Sequence, residues 1–560
     1  VDSTLRVIEC DVLCVGAGGA GVYAALAANM NGANVCLVSK ALASYGDTRI
    51  AYGMALCANL SEGDSLEFLV EDMLVAGKGL NDRVLVEALA QGSSEACIRM
   101  ESFGHVFERN GEGRIGKQSI IKPGGHRFPR SLLSIGKGIL ISKVLRSSAA
   151  GRNIKVLEET VVSRLIKMDG AVCGAICLDI VEGETVLVHA KKTILATGGL
   201  GMLYYPHTTN MREVTGDGFA LAYEAGAELV DMEQIQYMPF SVTRPKSMIG
   251  ILCGEQGTAG PGGVLRNNKG KIVLEQLAGK TRAEVSNAIA LEVERGGGTE
   301  DGALILDLRP NLKMKDFKAF YEKWRKLGIF DVSKEAYGLE AYRWKKPWHV
   351  YPTAHYCNGG VKTDSNGLTC VPNLYAVGQV QGGIHGADRI GSTALTELFV
   401  FGWLAGKHAS ENLGETPFLG SEEAKKLDSE VQRLFGMNGS QTPIKLKREL
   451  SKLMWEKVGC LKDERRLGHA IEEIDKISSQ LGNLKTSSIK RYNSEVLDAV
   501  ELRLMLITAR AVALSALTRR ESRGCHVRLD YPEASNEWLA NIVVYKENGE
   551  MAFRVVPQTG

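Results

Sequence analysis

Residues 11–15 form a short apolar run, 16–21 are dominated by glycine, 22–29 are rich in alanine, and 35–38 are apolar again. Short apolar runs bounded by glycine suit strands buried on both faces, and the alanine-rich piece between them suits a helix. The pattern predicts one βαβ unit of a parallel sheet. Two more apolar runs, 193–196 and 374–377, lead into Thr197-Gly198-Gly199 and Gly378. Three apolar strands that end at glycine, far apart in sequence, predict a single sheet whose strand ends converge on a ligand. Residues 236–350 are mixed and glycine-rich, with Trp324, Trp344 and Trp348, and read as an inserted domain. Residues 422–435, 444–458 and 495–519 carry apolar positions at helical spacing and predict a helical bundle. The last stretch holds Pro532 and alternating segments and reads as a closing β element.

Composition narrows the picture. A chain of 560 residues with 44% hydrophobic content exceeds one simple core, so about two to four domains are expected. Lys plus Arg is 67 against 65 for Asp plus Glu, a net charge of +2, with no long block of either sign. That balance gives no case for nucleic acid. Apolar runs break well before ~18 residues, so no direct membrane insertion is expected. The start of the chain shows no pattern of a charged region followed by an apolar one. The 12 cysteines include no CxxC, which argues against a zinc site or a self-contained iron–sulfur cluster. No metal ligand is assigned. Their apolar contexts suit free thiols in a reducing compartment, and a cytoplasmic location is expected, or one peripheral to a membrane through partner subunits.

The glycine turn is Gly16-Ala17-Gly18-Gly19-Ala20-Gly21, a G-x-G-x-x-G placed between strand and helix. The first glycine makes the turn, the second lets a pyrophosphate approach, and the third lets helix and strand pack closely. The second strand ends in Ser39-Lys40, where an acidic ribose partner is usual. A plain NAD enzyme is therefore disfavoured.

Further segments give a resemblance. Ala196-Thr197-Gly198-Gly199, Asn210, Thr215-Gly216-Asp217-Gly218, Pro352-Thr353-Ala354-His355-Tyr356 with Gly359-Gly360, His385-Gly386-Ala387-Asp388-Arg389-Ile390-Gly391-Ser392, and Glu521-Ser522-Arg523-Gly524 through Pro532 occur in order. Together with Ser39-Lys40, this set resembles the flavoprotein subunits of the succinate dehydrogenase/fumarate reductase family, with L-aspartate oxidases as relatives. The resemblance implies an α/β chain: a Rossmann-like FAD-binding domain (1–235 and 351–420), an inserted α+β capping domain (236–350), a helical bundle domain (421–525) and a small C-terminal β element (526–560). It implies FAD held by residues 16–21, Ser39, Lys40, Gly46, Asp47, Thr48, Gly53, Ala196, Thr197, Gly198, Asn210, Asp217, His355, Tyr356, Gly378, Gln379, Arg389 and Ser392. It also implies hydride transfer to or from a carbon–carbon bond beside a carboxylate, and an iron–sulfur electron partner.

The departures matter as much. In the family's S-H-T-x-A-A-Q-G-G, a histidine often bonds covalently to the flavin; Asp47 stands there, so noncovalent FAD is expected, although Asp47 also suits a simple turn. Gln379 replaces an acidic contact. By resemblance Arg282 is the proton donor, while His355 and Arg389 grip a small carboxylate substrate; an ion pair of Arg282 with Glu284 is the plainer reading of that residue. His126 is expected to be structural. The family's Q-F-H-P-T reads Gln236-Tyr237-Met238-Pro239-Phe240, and its relay Glu and Arg read Gln256 and Ala259. The expectation is a substrate with one carboxylate and an apolar remainder facing Met238 and Phe240, and poor turnover of C4-dicarboxylates. The alternatives are a genuine fumarate reductase or succinate dehydrogenase, an electron-relay protein without its own substrate, and an aspartate-oxidase-like enzyme.

Overall fold

The computed structural model describes residues 5–115 and 119–558. The first strand, Arg6–Val15, alternates over its first half and ends in four buried residues, as a strand entering the middle of a sheet does. It pairs in parallel with Val35–Val38 on one side and with Thr185–Leu195 on the other. Leu374–Ala376 pairs in parallel with Thr185–Leu195, so the three glycine-ended strands do share one seven-stranded sheet. The same sheet is extended by Ala171–Asp179 and Thr160–Met168, both antiparallel. Helix Gly19–Met30 covers the sheet and packs along helix Thr393–Glu411.

A second, six-stranded antiparallel sheet is built from residues between 235 and 357. Its strand Trp348–Cys357 carries Thr353, His355 and Tyr356 from the core around Trp348 back towards the first sheet. Helix Arg282–Glu292 packs across its neighbour Ile235–Val242.

Helices Pro443–Val458, Glu464–Ser479 and Ser494–Thr518 pack on one another. The middle one was not anticipated. Its signal was present: Asp463 caps the Arg466 N–H, and Leu467, Ala470, Ile474 and Ile477 recur on one buried face. This bundle reaches the first sheet through charge. Glu501 accepts from Lys40 at 2.7 Å and from Lys447 at 2.5 Å. Strands Ala540–Glu547 and Glu550–Pro557 close the chain as a hairpin against Leu229–Val230. Eleven cysteines are buried and free; Cys370 is exposed. No helix among the described residues is long and apolar enough to cross a membrane.

Candidate active site

The ends of the three strands and the return of strand Trp348–Cys357 enclose a cavity of about 640 Å³. That size suits a cofactor or a drug-sized ligand. Every residue assigned to the cofactor from sequence lines it except Gly21. Gly21 has a different task. A Cβ there would meet the Gly16 carbonyl oxygen at 1.8 Å, so its glycine lets the helix press onto the turn. Gly18 is the opposite case: a Cβ would meet no protein atom within 4 Å and would project into open space at the cavity wall. Gly18 is the N-cap of Gly19–Met30, with no side-chain cap and no acidic residue in the first turn. Helix-start N–H groups without a cap, beside an open space, form a seat for an anion such as a pyrophosphate. Elsewhere on the wall, the Thr197 and Ser392 hydroxyls are buried without protein partners. The residues present therefore fit a flavin dinucleotide.

Lys40 donates to Asp217 at 2.7 Å as well as to Glu501, so its charge is balanced inside the wall. Asp47 accepts from the Met211 N–H at 2.8 Å and from the Asn210 side chain; burial lifts its carboxyl to about 6. The Asn210 amide and the Asp47 carboxylate thus fix each other. Tyr356 donates to Glu397 at 2.5 Å, and the same carboxylate meets His385 Nε2 at 2.8 Å.

Arg282, His355 and Arg389 all line this cavity. Arg282 is the first residue of its helix, whose capping box is Thr281 with Glu284. Glu284 accepts from the Thr281 N–H at 2.7 Å, so it is engaged in the cap, and the plain Arg282–Glu284 pair does not form. Arg282 instead donates to Glu255 at 3.2 Å and to the Gln236 side-chain oxygen at 3.3 Å.

Arg389 is 5% exposed and makes no ion pair among the described residues. Its Nε has no partner, and its guanidinium lies 4.5 Å from the Tyr356 ring centroid. Burial and the neighbouring Arg282 push its pKa down to about 10. A buried arginine with unused donors is suited to hold an anion. His355 Nδ1 lies 2.7 Å from the Thr209 hydroxyl. Burial, Arg389 and Arg282 hold the imidazole well below its usual pKa, hence neutral.

Two expectations are corrected. A carboxylate does stand beside Arg282. Gln256 does replace the family's relay Glu in register, but the chain enters the short turn Gln256–Thr258 through Glu255, and that side chain faces Arg282. The substitution moved the carboxylate by one position. Met238 and Phe240 do not face the cavity. Both are fully buried, and Phe240 packs in the core with Trp348. Register shifts in the strand, between 236 and 237 and again between 238 and 241, explain why counting along it misplaced them. Apolar parts of the cavity wall come instead from residues such as Tyr52, Ile251, Leu252 and Val332, which sequence reasoning did not single out. Only Tyr52 carried a signal, as the residue in place of glutamine in the family's flavin-loop motif. His126 is buried away from this cavity, with Nε2 2.8 Å from the Gly391 carbonyl and its pKa lowered to about 4 by burial.

Comparison with known proteins agrees with this geometry. A family profile described as an FAD binding domain matches residues 11–395, and one described as the fumarate reductase flavoprotein C-term matches 447–559. A CoM/CoB fumarate reductase subunit of Methanothermobacter marburgensis is 34% identical over 96% of this chain and 97% of that protein. The fumarate reductase flavoprotein subunit of Escherichia coli is 31% identical, covering 94% and 89% of the two chains. A solved E. coli quinol fumarate reductase FrdA variant superposes with a TM-score of 0.88 at 28% identity, covering 99% of this chain and 97% of that one. The chain belongs to the fumarate reductase/succinate dehydrogenase flavoprotein family and is an FAD-dependent oxidoreductase.

Proposed function

We propose that this flavoprotein acts on a carbon–carbon bond beside a single carboxylate and exchanges electrons with a separate iron–sulfur protein, as the family resemblance implies. The observation that carries the reading is the buried Arg389, with unused donors, beside Arg282 and a neutral His355 in one cavity. When bound, FAD supplies or accepts hydride at carbon and passes on single electrons. The residues assigned from sequence, from Gly16 through Ser392, hold it. Asp47 offers no nitrogen for a histidyl bond, so the flavin is held noncovalently.

In this reading Arg389 and His355 bind the carboxylate, the arginine by its planar fork and the imidazole by a hydrogen bond. Arg282 holds the proton that is delivered to carbon during reduction, and Glu255 returns one to it. The remainder of the substrate lies against Tyr52, Ile251, Leu252 and Val332. A second carboxylate against these four side chains would find no cationic donor among them. An unpaired buried carboxylate costs several kcal/mol, which corresponds to ~100-fold or more in binding. With reduced viologen as donor, kcat/KM for crotonate is expected to exceed that for fumarate by about that factor. Equal or better turnover of fumarate overturns the single-carboxylate assignment. It would support a second reading, true fumarate chemistry, which the retained Glu255–Arg282 pair favours and which the name of the Methanothermobacter relative suggests. The complex would sit in the cytoplasm or at a membrane face through its partners.

A further inference from the structure

A second, much smaller space lies behind Arg282. Its volume is about 10 Å³, room for one water, and its polar lining is Gln256, Thr281, Arg282, Asp388 and Arg389. Arg282 and Arg389 line both this chamber and the main cavity, so they form the wall between them. The Gln256 side-chain oxygen is buried there without a partner. Such a site offers a water the two to four partners it needs.

We infer that Asp388 is a second proton source for Arg282, acting through a water in this chamber from the side opposite Glu255. The inference rests on the reading of Arg282 as proton donor. Asp388 stands where the family's H-G-A-N-R-L-G-S has asparagine, so the carboxyl is a feature of this chain. It is 3% exposed. Gln236 donates to it at 2.7 Å, and the Gln236 oxygen accepts from Arg282, so one amide locks acid and arginine in a fixed relation. The groups facing Asp388 are Arg282 and Thr281 from the helix start, Gln236 from the strand, Arg389 from its own loop, and Cys525 at 3.6 Å from the C-terminal segment, with Lys462 behind it. Burial outweighs these partners and raises the Asp388 pKa above the ordinary carboxylate value.

The balance is simple. Arg282 gives one proton to the substrate carbon and is left a neutral guanidine. The water protonates it and takes the Asp388 proton in turn. The Asp388 carboxylate then regains a proton from solvent between turnovers. Activity carried by this route falls as pH rises through the Asp388 pKa, because the donor is then already ionised.

The test uses the full chain loaded with FAD, with reduced viologen and whichever of crotonate and fumarate the wild type turns over faster. Asp388→Asn restores the family's residue and is expected to fold, to lower kcat about 10- to 100-fold with KM within about twofold, and to remove the high-pH limb assigned to Asp388 from the profile. Asp388→Glu recovers part of kcat. Independently of turnover, the infrared spectrum of the wild type at neutral pH should contain a carboxylic-acid C=O band that shifts in Asp388→Glu and vanishes in Asp388→Asn. Wild-type kcat and pH profile in Asp388→Asn, alongside an inactive Arg282→Gln, overturns this inference and leaves the proposed function standing. An Arg282→Gln variant as active as wild type overturns that reading itself. No such band in the wild type counts against Asp388 even if Asp388→Asn fails to fold.

Discussion

Arg282→Gln is expected to lower kcat by about 10²- to 10⁴-fold, the range for losing a positioned general acid. Glutamine is long enough to keep a hydrogen bond towards Gln236, and it carries no charge to strand in the buried site. It has no proton to give. His355 and Arg389 remain to bind a carboxylate, so KM should change far less than kcat, the signature of an interaction used in the transition state rather than in binding. Reoxidation of the reduced flavin by an enoate, followed in a single turnover, separates this from an effect on later steps. A merely structural arginine, paired with Glu255 to hold the turn Gln256–Thr258, would instead cost stability and leave the rate intact. Glu255→Gln should lie between wild type and Arg282→Gln.

The second large effect concerns the glycine turn, where two substitutions of equal size should act differently. Gly21→Ala forces a Cβ to within 1.8 Å of the Gly16 oxygen. Helix and turn must separate, which costs about 1–3 kcal/mol of stability and disturbs the pyrophosphate seat, so FAD affinity falls about 10- to 100-fold or more. Gly18→Ala adds the same methyl where the protein leaves open space. Its apoprotein should unfold at the wild-type denaturant midpoint, while FAD binding weakens by a similar factor because the methyl meets only the ligand. Equilibrium unfolding and flavin fluorescence quenching read the two quantities apart. Equal stability loss in both variants, or undiminished FAD binding in Gly18→Ala, contradicts the assignment.

Much of the frame was legible because its signals are local. The strand at 11–15, the turn at 16–21 and the helix at 22–29 follow from apolar runs and glycine spacing, and the structure extends them to Arg6–Val15 and Gly19–Met30. The motifs around His355 and Arg389 are located by their resemblance to the family's segments, and both residues line the cavity. The antiparallel extension, Thr160–Met168 through Ala171–Asp179, was not read. It lacks a glycine-ended approach to the ligand, and its pairing partner lies in the same hairpin-like run. The capping side was harder still. Whether a side chain of Ile235–Val242 faces the site depends on bulges that no period-two count reveals, and so Gln236 reaches Arg282 while Phe240 turns into the core. Glu255 was missed for a related reason. Matching position to position found glutamine at 256, while the carboxylate that meets Arg282 lies one residue earlier, where the short turn begins.

The chemistry then reduces to where charge is stored. Three groups that prefer an anion line one cavity, two of them buried arginines. Glu255 reaches Arg282 from the cavity side, and Asp388 lies on the side of the small chamber. In the proposed mechanism, that layout would let the arginine release a proton without stranding a charge in a dry site.

A crystal structure of the FAD-loaded chain with a non-reactive enoate analogue tests this account most directly. The predicted result has the pyrophosphate at Gly18, the reactive edge of the flavin facing the analogue, its carboxylate on Arg389 and His355, and Arg282 pointing at the adjacent carbon. A flavin seated away from the glycine turn, or an analogue held with Arg282 and Arg389 on unrelated sides, would contradict it.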